Sequence, residues 1–470
     1  MSESEHIAAA PPGDPATHMD NEDRLRPEFV ARVLDAVAAG DVATARDLVE
    51  PLHPADVADL IELARADERD GLVAALANLV DADVYAELND FVREDLLDEM
   101  EPQQVADIAG QLETDDAVAL IEDLDADDQQ AVLERMEPDD RAAVEEALGY
   151  PEESAGRLMQ RDVCAVPQHW NVGKVIDYLR STAELPDDFW EVFVVSPDHH
   201  PVGTCKLSTI LRTKRDRPVS EIMVEEQTLI PVDMDQEDVA LRFQKYALVS
   251  AAVVDGQGRL VGMITVDDIV HIIQEEASED VLLLSGVGDE GDINEPIRAA
   301  YKDRVRWLIA NLGTAMIAAF VISRFEGTIE RLAILAALMP IVAAIGGNAG
   351  TQALAVTVRA LATNQLTGSN RWRAVGREVS VAVLNGATIA VLLGLGVWAV
   401  LGSETLGLVI AAAIFVNIIV AGFAGVLVPL TLDRYGADPA VASSVFLTTV
   451  TDSMGFLAFL GLATLAGLGR

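Results

Sequence analysis

Cysteine, lysine and aromatic side chains are scarce in this 470-residue chain: two cysteines, five lysines and 5% aromatics. Two cysteines, Cys164 and Cys205, leave no disulfide framework to build, and their spacing matches no zinc site, so both read as reduced core residues. The seven histidines are scattered. The adjacent pair His199-His200 falls in a Pro-Asp-His-His-Pro turn without a carboxylate or thiol at ligand spacing, which excludes a metal site there. No nucleophile–base constellation, phosphate-cradling loop or catalytic metal spacing is present, so an enzyme is not expected. Gly286-Val287-Gly288-Asp289-Glu290-Gly291 has dinucleotide-like glycine spacing, but its acids would repel a pyrophosphate and no glycine-opened helix follows. Asp233-Met234-Asp235-Gln236-Glu237-Asp238 begins like a calcium loop and lacks the sixth-position glycine and the closing Glu. No secretory signal opens the chain, and residues 1–26 are expected to be a disordered polar tail.

Positive charge is the other shortage, with 33 basic against 77 acidic residues and a net charge of −44. It is unevenly spread. Residues 301–470 carry 11 basic and 8 acidic side chains, leaving 22 and 69 in residues 1–300, so the two parts stand at +3 and −47. Uncharged runs at 307–323, 332–358, 379–403 and 405–432, and a fifth over 439–469 broken only by Asp452, are long enough to cross about 30 Å of hydrocarbon. Five spans are expected, at about 305–325, 332–358, 378–403, 405–432 and 439–468, within a membrane domain over 304–470. Arg304 and Arg306 precede the first span, and Arg359, Arg371, Arg373 and Arg377 lie between the second and third. Arg324, Glu326, Glu330 and Arg331 blunt the bias on the other face. The arginine bias predicts a multi-pass plasma-membrane protein with the N-terminus cytoplasmic and the C-terminus outside.

A carboxylate inside a span is costly, and an ion pathway is the usual reason to keep one. Asp452 lies among Thr448, Thr449, Thr451, Ser453 and Gly455. The alternative, an arginine partner from a neighbouring helix, finds few basic residues at matching depth. In the second span Pro340 and the phrase Gly346-Gly347-Asn348-Ala349-Gly350-Thr351-Gln352 predict a broken or loosened helix, whose freed carbonyls and Asn348 amide would join Asp452 in an oxygen-only surface. Close packing through small residues is the competing use of Gly346, Gly347 and Gly350, and both uses are expected.

Residues 27–152 repeat short helical segments opened by proline or acid, as at Pro54, Pro102, Asp115-Asp116 and Asp127-Asp128. The acids meet the helix N-termini and the Val, Leu and Ile positions bury, which predicts an all-α superhelix of stacked hairpins. From 153 to 276 strand–helix–strand units occur twice. The repeated opening phrases Gly156-Arg157-Leu158-Met159 and Val219-Ser220-Glu221-Ile222-Met223 go with them, and this stretch resembles a tandem α/β pair of CBS modules, 155–215 and 218–276. Gly262-Met263-Ile264-Thr265-Val266-Asp267-Asp268 resembles the nucleotide phrase of that fold, which puts Thr265 and Asp268 at phosphate and ribose positions for ATP. Its counterpart in the first module has Lys206 and Thr209 there.

The order of an acidic helical domain, two CBS modules, a connecting helix at 277–303 and five spans resembles the MgtE family of magnesium channels. The phrases Gly346 to Gln352 and Thr451-Asp452-Ser453-Met454-Gly455 stand at its signature places. The resemblance implies a homodimer with a pore on the two-fold axis, lined by Asp452, Asn348, Gly346, Gly347 and Gly350, that admits Mg²⁺ to the cytosol. It also implies a cytosolic Mg²⁺ sensor at Asp235, Glu237, Asp268, Glu276, Glu279 and Asp280. Ala247 and His271 stand where further sensor acids are expected. Self-repulsion of the acidic halves, relieved by bound Mg²⁺, would then close the pore. The abundance of acid also suits life in concentrated salt, so position rather than bulk charge carries this reading. Other divalent cations, Co²⁺ or Mn²⁺, and a membrane-anchored nucleotide sensor without transport remain alternatives; no nucleic-acid partner is expected.

Overall fold

The structure is a computed structural model describing residues 18–21, 24–182, 185–186, 189–288, 291–366 and 370–468. The first 17 residues of the expected tail, Asp289-Glu290 of the glycine-rich phrase and the terminal Gly469-Arg470 lie outside the described residues. The chain divides into two compact units, up to Ile273 and from Gln274.

The first unit begins earlier than expected. Residues 18–21 and 24–26 are not tail: Met19 pairs with Leu25, Arg26 Nε donates to the Met19 carbonyl at 2.7 Å, and Leu25 is buried in the helical core. Ten short helices follow, from α1 (Pro27–Ala38) to α10 (Pro138–Leu148), and share one core from Leu25 to Ala147. Proline opens the helices at Pro27, Pro54, Pro102 and Pro138, where its missing N–H costs nothing. Asp41 and Asp81 cap with their side chains, accepting from the amides of Thr44 and Val84. Asp125 and Glu137 do not, and at those starts the acids of the following turn meet the helix dipole instead. Helix α8 (Thr114–Glu122) packs on α10, placing Asp115 inside the unit. Buried Arg93 ties two segments together, reaching Asp90 and Asp123 at 2.6 Å each.

The two α/β modules are copies in detail. β1 (Ala165–Pro167) runs parallel to β2 (Glu191–Val195), which pairs antiparallel with β3 (Pro201–Lys206), flanked by α11 (Val172–Ser181) and α12 (Leu207–Arg212). β4 (Leu229–Pro231), α13 (Gln236–Tyr246), β5 (Ser250–Val254) and β6 (Leu260–Thr265) repeat the order, and the register shifts at equivalent places, Val194/Val195 and Val253/Val254. The opening phrases cross over. Gln160 pairs with Met263 of β6, and Ala155 and Met159 join the second module's core; Val224 pairs with Thr204 of β3, and Val219 joins the first. Gly262 and Gly203 permit this, since a Cβ at either would meet backbone oxygen at 2.7 and 2.9 Å.

Helix α14 (Val266–Ser285) closes the second module and continues without interruption to Ser285. The connecting segment expected over 277–303 is therefore not one helix. It is the end of α14, a break at Gly286 (φ +71°), and the first turns of α15 (Ile297–Ser323).

Among the described residues five helices are long and apolar enough to cross a membrane: α15, α17 (Ile334–Ala362), α18 (Arg371–Leu401), α19 (Glu404–Arg434) and α20 (Pro439–Leu465). Short α16 (Glu326–Arg331) joins the first two. α19 is the most buried and packs on α17, α18 and α20. The break expected in the second span is absent, because α17 is continuous through Pro340 and all three glycines. Gly346 and Gly350 serve packing instead. A Cβ on Gly350 would meet Leu447 at 2.9 Å, and one on Gly425 would meet the Gly350 carbonyl at 2.7 Å and Ala353 at 2.8 Å. Small residues thus set the spacing of α17 against α19 and α20, as close packing in lipid requires.

Gly425→Leu is expected to destabilise the membrane unit by about 1–3 kcal/mol or more through overpacking. Gly396→Ala, which meets nothing within 4 Å, should stay within about 0.5 kcal/mol of wild type. Thermal unfolding of the detergent-purified chain would distinguish the two.

Candidate functional sites in the membrane and on helix α14

Asp452 is the fourteenth of the 27 residues of α20, the midpoint of the span. It is half-buried, and among the described residues no basic side chain pairs with it. The adjacent hydroxyls are anchored on their own helix: Thr449 Oγ1 donates to the Val445 carbonyl at 2.7 Å and Thr451 Oγ1 to that of Thr448 at 3.2 Å. Their oxygens keep acceptor capacity. Buried Ser453 Oγ has no partner among the described residues. Asn348 is exposed on α17, and Gly347, open on its Cα side, lends its carbonyl to Thr351 Oγ1 at 3.0 Å.

Sequence reasoning missed Asn417. It is 1% exposed on α19 and wedges between Gly346 of α17 and Gly455 of α20, where a Cβ on either glycine would collide with its amide. Its Nδ2 donates to the Val342 carbonyl at 3.1 Å, while Oδ1 is unpartnered among the described residues. One asparagine therefore fixes α17 against α20 three residues from Asp452. An asparagine in an apolar run was the available signal, next to the more conspicuous aspartate.

Helix α14 carries the second site. In the first unit Thr265 Oγ1 donates to Asp268 Oδ2 at 2.7 Å and the Thr265 amide to the same oxygen at 3.3 Å, so the two residues cap the helix start. A nucleotide at these positions would compete with that bond. A cavity of about 470 Å³ opens elsewhere, lined by Glu146, Met159, Arg161, Val163, His199 and Leu260, and neither Thr265 nor Asp268 lines it. Asp268 instead meets α8. Burial first, then the nearby charges of Asp267 and Asp116, push it up to about 6 despite the Thr265 bond. Asp115 is raised as well, by burial first and then by Asp268, Asp116 and Glu113. Neither Asp115 nor Asp116 was singled out beforehand as a site, since Asp-Asp also opens the helices at 127 and 139. His271, at an expected acid position, lies close enough to Asp116 to oppose that residue's upward shift, which is caused chiefly by burial. Ala247 closes α13 in the left-handed region (φ +49°).

Of the other expected sensor acids, Asp235 caps α13 by accepting from the Glu237 amide at 3.0 Å, which brings those two together. In the second unit Glu276, Glu279 and Asp280 follow at helical spacing along α14. Burial, and after it Asp438 at the start of α20, raise Asp280. Leu283 and Leu284 then pack on Leu354 and Val358 of α17, Ala424 of α19, and Ala440 and Leu447 of α20. Among the described residues no three of His, Cys, Asp or Glu gather into a group that could hold a metal ion.

These features define a multi-pass membrane protein with an unpaired mid-membrane carboxylate and a soluble acidic part carrying a CBS pair. The profile described as "Divalent cation transporter" matches residues 339–462, "MgtE intracellular N domain" residues 52–153, and "CBS domain" residues 219–275, the second module. The chain is 34% identical over 323 residues to a magnesium transporter MgtE of Enterococcus faecalis, covering 68% of this chain and 71% of that protein. Its identity to the magnesium transporter MgtE of Thermus thermophilus is 33%, over 68% and 72% of the two chains. Similar solved structures include the soluble part of a magnesium transporter, at 26% identity over 53% of this chain and 98% of that one, TM-score 0.46. Another is the cytosolic domain of the Mg²⁺ channel MgtE in complex with ATP, at 27% identity over 52% and 99%, TM-score 0.48. The chain belongs to the MgtE family.

The raised carboxyls give a signed pH effect. A folded-state value of about 6 for Asp268, above the ordinary 3.8, means the native state holds the proton more tightly, so stability is fully present below about pH 4 and lost as pH rises through about 6. Without divalent cations, Asp268→Asn should therefore stabilise the chain more at pH 7 than at pH 5. Adding Mg²⁺ at pH 7 should shrink that advantage. Thermal unfolding of both proteins at the two pH values checks it.

Proposed function

We propose that the chain is a homodimeric, plasma-membrane Mg²⁺ channel that admits Mg²⁺ to the cytosol, where its N-terminal units lie. The observation that carries this reading is Asp452, unpaired at mid-span on a helix rich in hydroxyls. Mg²⁺ takes oxygen ligands in octahedral geometry and gives up water reluctantly. Two Asp452 carboxylates facing across a dimer axis, with Asn348 and Gly347 of α17 nearby and Gly346 and Gly350 setting the helix packing that places them, would hold the ion through its waters rather than strip it. A calcium ion seeks more protein oxygens than so sparse a site offers. Transition divalents such as Co²⁺ and Mn²⁺ accept the same donors, so they are the competing substrates.

Gating follows from α14. Asp268, with Asp115 and Asp116 opposite, and Asp235, Glu237, Glu276, Glu279 and Asp280 form a sensor that repels itself when empty. Among the described residues no three such ligands gather into one group, so the proposed sites would have to be completed by movement or by the second protomer. Mg²⁺ bound there would draw the acidic parts together. The Leu283–Leu284 contact on α17, α19 and α20 would pass that shift to the helix bearing Asp452. Nucleotide binding at Thr265 and Asp268 is the weaker reading, because each already holds the other.

Mg²⁺ flux into proteoliposomes, with internal Mg²⁺ varied, tests the proposal. Asp452→Ala should lower flux roughly 100-fold or more, the scale of two charged contacts at about 1.5–3 kcal/mol each, and wild-type flux should fall as internal Mg²⁺ enters the millimolar range. Undiminished flux in the variant would move the pore away from Asp452. No flux in either protein, with a retained ligand response, would favour a tethered sensor.

A further inference from the structure

A cavity of about 210 Å³ lies among α17, α18 and α19, lined by Gln352, Arg377, Glu378, Asn385, Ile418 and the small Gly422. None of these residues has a part in the pore or sensor proposed above. Glu378 is the informative member. Its side chain is only 12% exposed, and its ion-pair partner, Arg377 at 3.3 Å, is the adjacent residue and is itself 70% exposed. Arg371 is engaged elsewhere, by Asp433 of α19 at 2.7 Å. The cavity thus presents one cation, one carboxylate and two amides against apolar walls.

Its depth is equally specific. Helix α18 has 31 residues, about 46 Å at 1.5 Å each, so a hydrocarbon layer of about 30 Å centred on it begins about 8 Å from its first residue. Glu378 stands about 10 Å along. That is the boundary between headgroups and acyl chains on the arginine-rich side of the membrane.

We propose that this cavity binds the headgroup of a phospholipid bearing a primary amine, with its phosphate on Arg377 and its ammonium on Glu378. Arg377 and Glu378 pair with each other, so a bare anion or a bare cation would leave one of them without its counter-charge, whereas a zwitterion replaces their 3.3 Å pair charge for charge. A primary ammonium donates hydrogen bonds to Glu378 and the amide oxygens; a quaternary ammonium has no N–H to donate. Room for roughly seven water-sized groups at about 30 Å³ each suits a headgroup, and the apolar wall suits the start of an acyl chain.

Native mass spectrometry of the full-length, detergent-purified protein tests this against phosphatidylethanolamine, phosphatidylcholine and phosphatidylglycerol with identical acyl chains. Phosphatidylethanolamine should be retained over phosphatidylcholine by roughly tenfold or more, the scale of one hydrogen bond to a charged group. Glu378→Gln should abolish that ratio. Arg377→Gln, at an exposed position and so tolerated even if Glu378→Gln does not fold, should weaken all three lipids and leave the ratio in place. Equal retention of the three lipids, a preference that survives Glu378→Gln, or no effect of Arg377→Gln would overturn the proposal. So would retention only by monomers, which would assign the cavity to a second copy of the chain.

Discussion

A carboxylate taken out of water without a basic partner must either keep its proton or hold a cation, because the desolvation penalty of the bare charge exceeds what marginal stability can absorb. With 77 acidic and 33 basic side chains, acids outnumber basic groups by more than two to one. Most remain on the surface, where water solves the problem. A few do not: Asp115 is buried with half-buried Asp268 near it, and Asp452 sits at mid-span. Burial raises both soluble carboxyls toward neutrality, and it raises Asp123 to about 6 as well even though Arg93 pairs with it. Where a permanent partner was wanted the chain supplies one, as Arg93 does between Asp90 and Asp123.

In the membrane unit the same economy appears in the backbone. Continuous helices satisfy their own hydrogen bonds, so nothing forces α17 to break at its glycines. The absent side chains bring helices close enough for one polar wedge, Asn417, to bridge α17 and α20. That wedge lies next to the acid, and Leu283 of α14 lies against the other end of the same helix pair. α20 is therefore held from two directions. A shift of α14 would act on a helix whose middle is pinned, which favours tilting about Asn417 over sliding.

Much of this was legible beforehand. Uncharged runs gave five spans because hydropathy needs no tertiary information, and the two α/β modules announced themselves through repeated phrases. The crossover of those phrases was invisible, since Gly262 and Gly203 look like ordinary strand glycines until the opposing backbone is in place. Proline and glycine at 340–350 misled for the same reason: the residues that weaken an isolated helix also let helices approach, and only neighbours decide between the two. The acids of α14 were assigned a sensor role through resemblance alone. Their partner Asp115 was not, because its Asp-Asp opening recurs at 127 and 139 and only burial marks it out. Leu25 was assigned to a polar tail because one apolar residue among charges carries no periodicity to read.

The proposed gate can be held to a free-energy requirement. Moving a two-state equilibrium from 1:99 to 99:1 takes about 5.5 kcal/mol of differential binding. A cation present at ten times its dissociation constant contributes only about 1.4 kcal/mol, so about four weak sites acting together are needed, and a symmetric dimer supplies each site twice. A sensor spread over many acids is therefore the expected design for a weakly bound, abundant ion, and it tolerates losses. Ala247 and His271 each remove a carboxylate that the family resemblance leads one to expect, and two absent acids weaken a summed response without abolishing it. They are not equivalent losses: Ala247 offers no polar side chain, whereas His271 lies close enough to Asp116 to oppose that residue's upward shift. Protonation of Asp268, which burial pushes up to about 6, would also remove part of the self-repulsion, so acidification should move the proposed gate toward its closed arrangement.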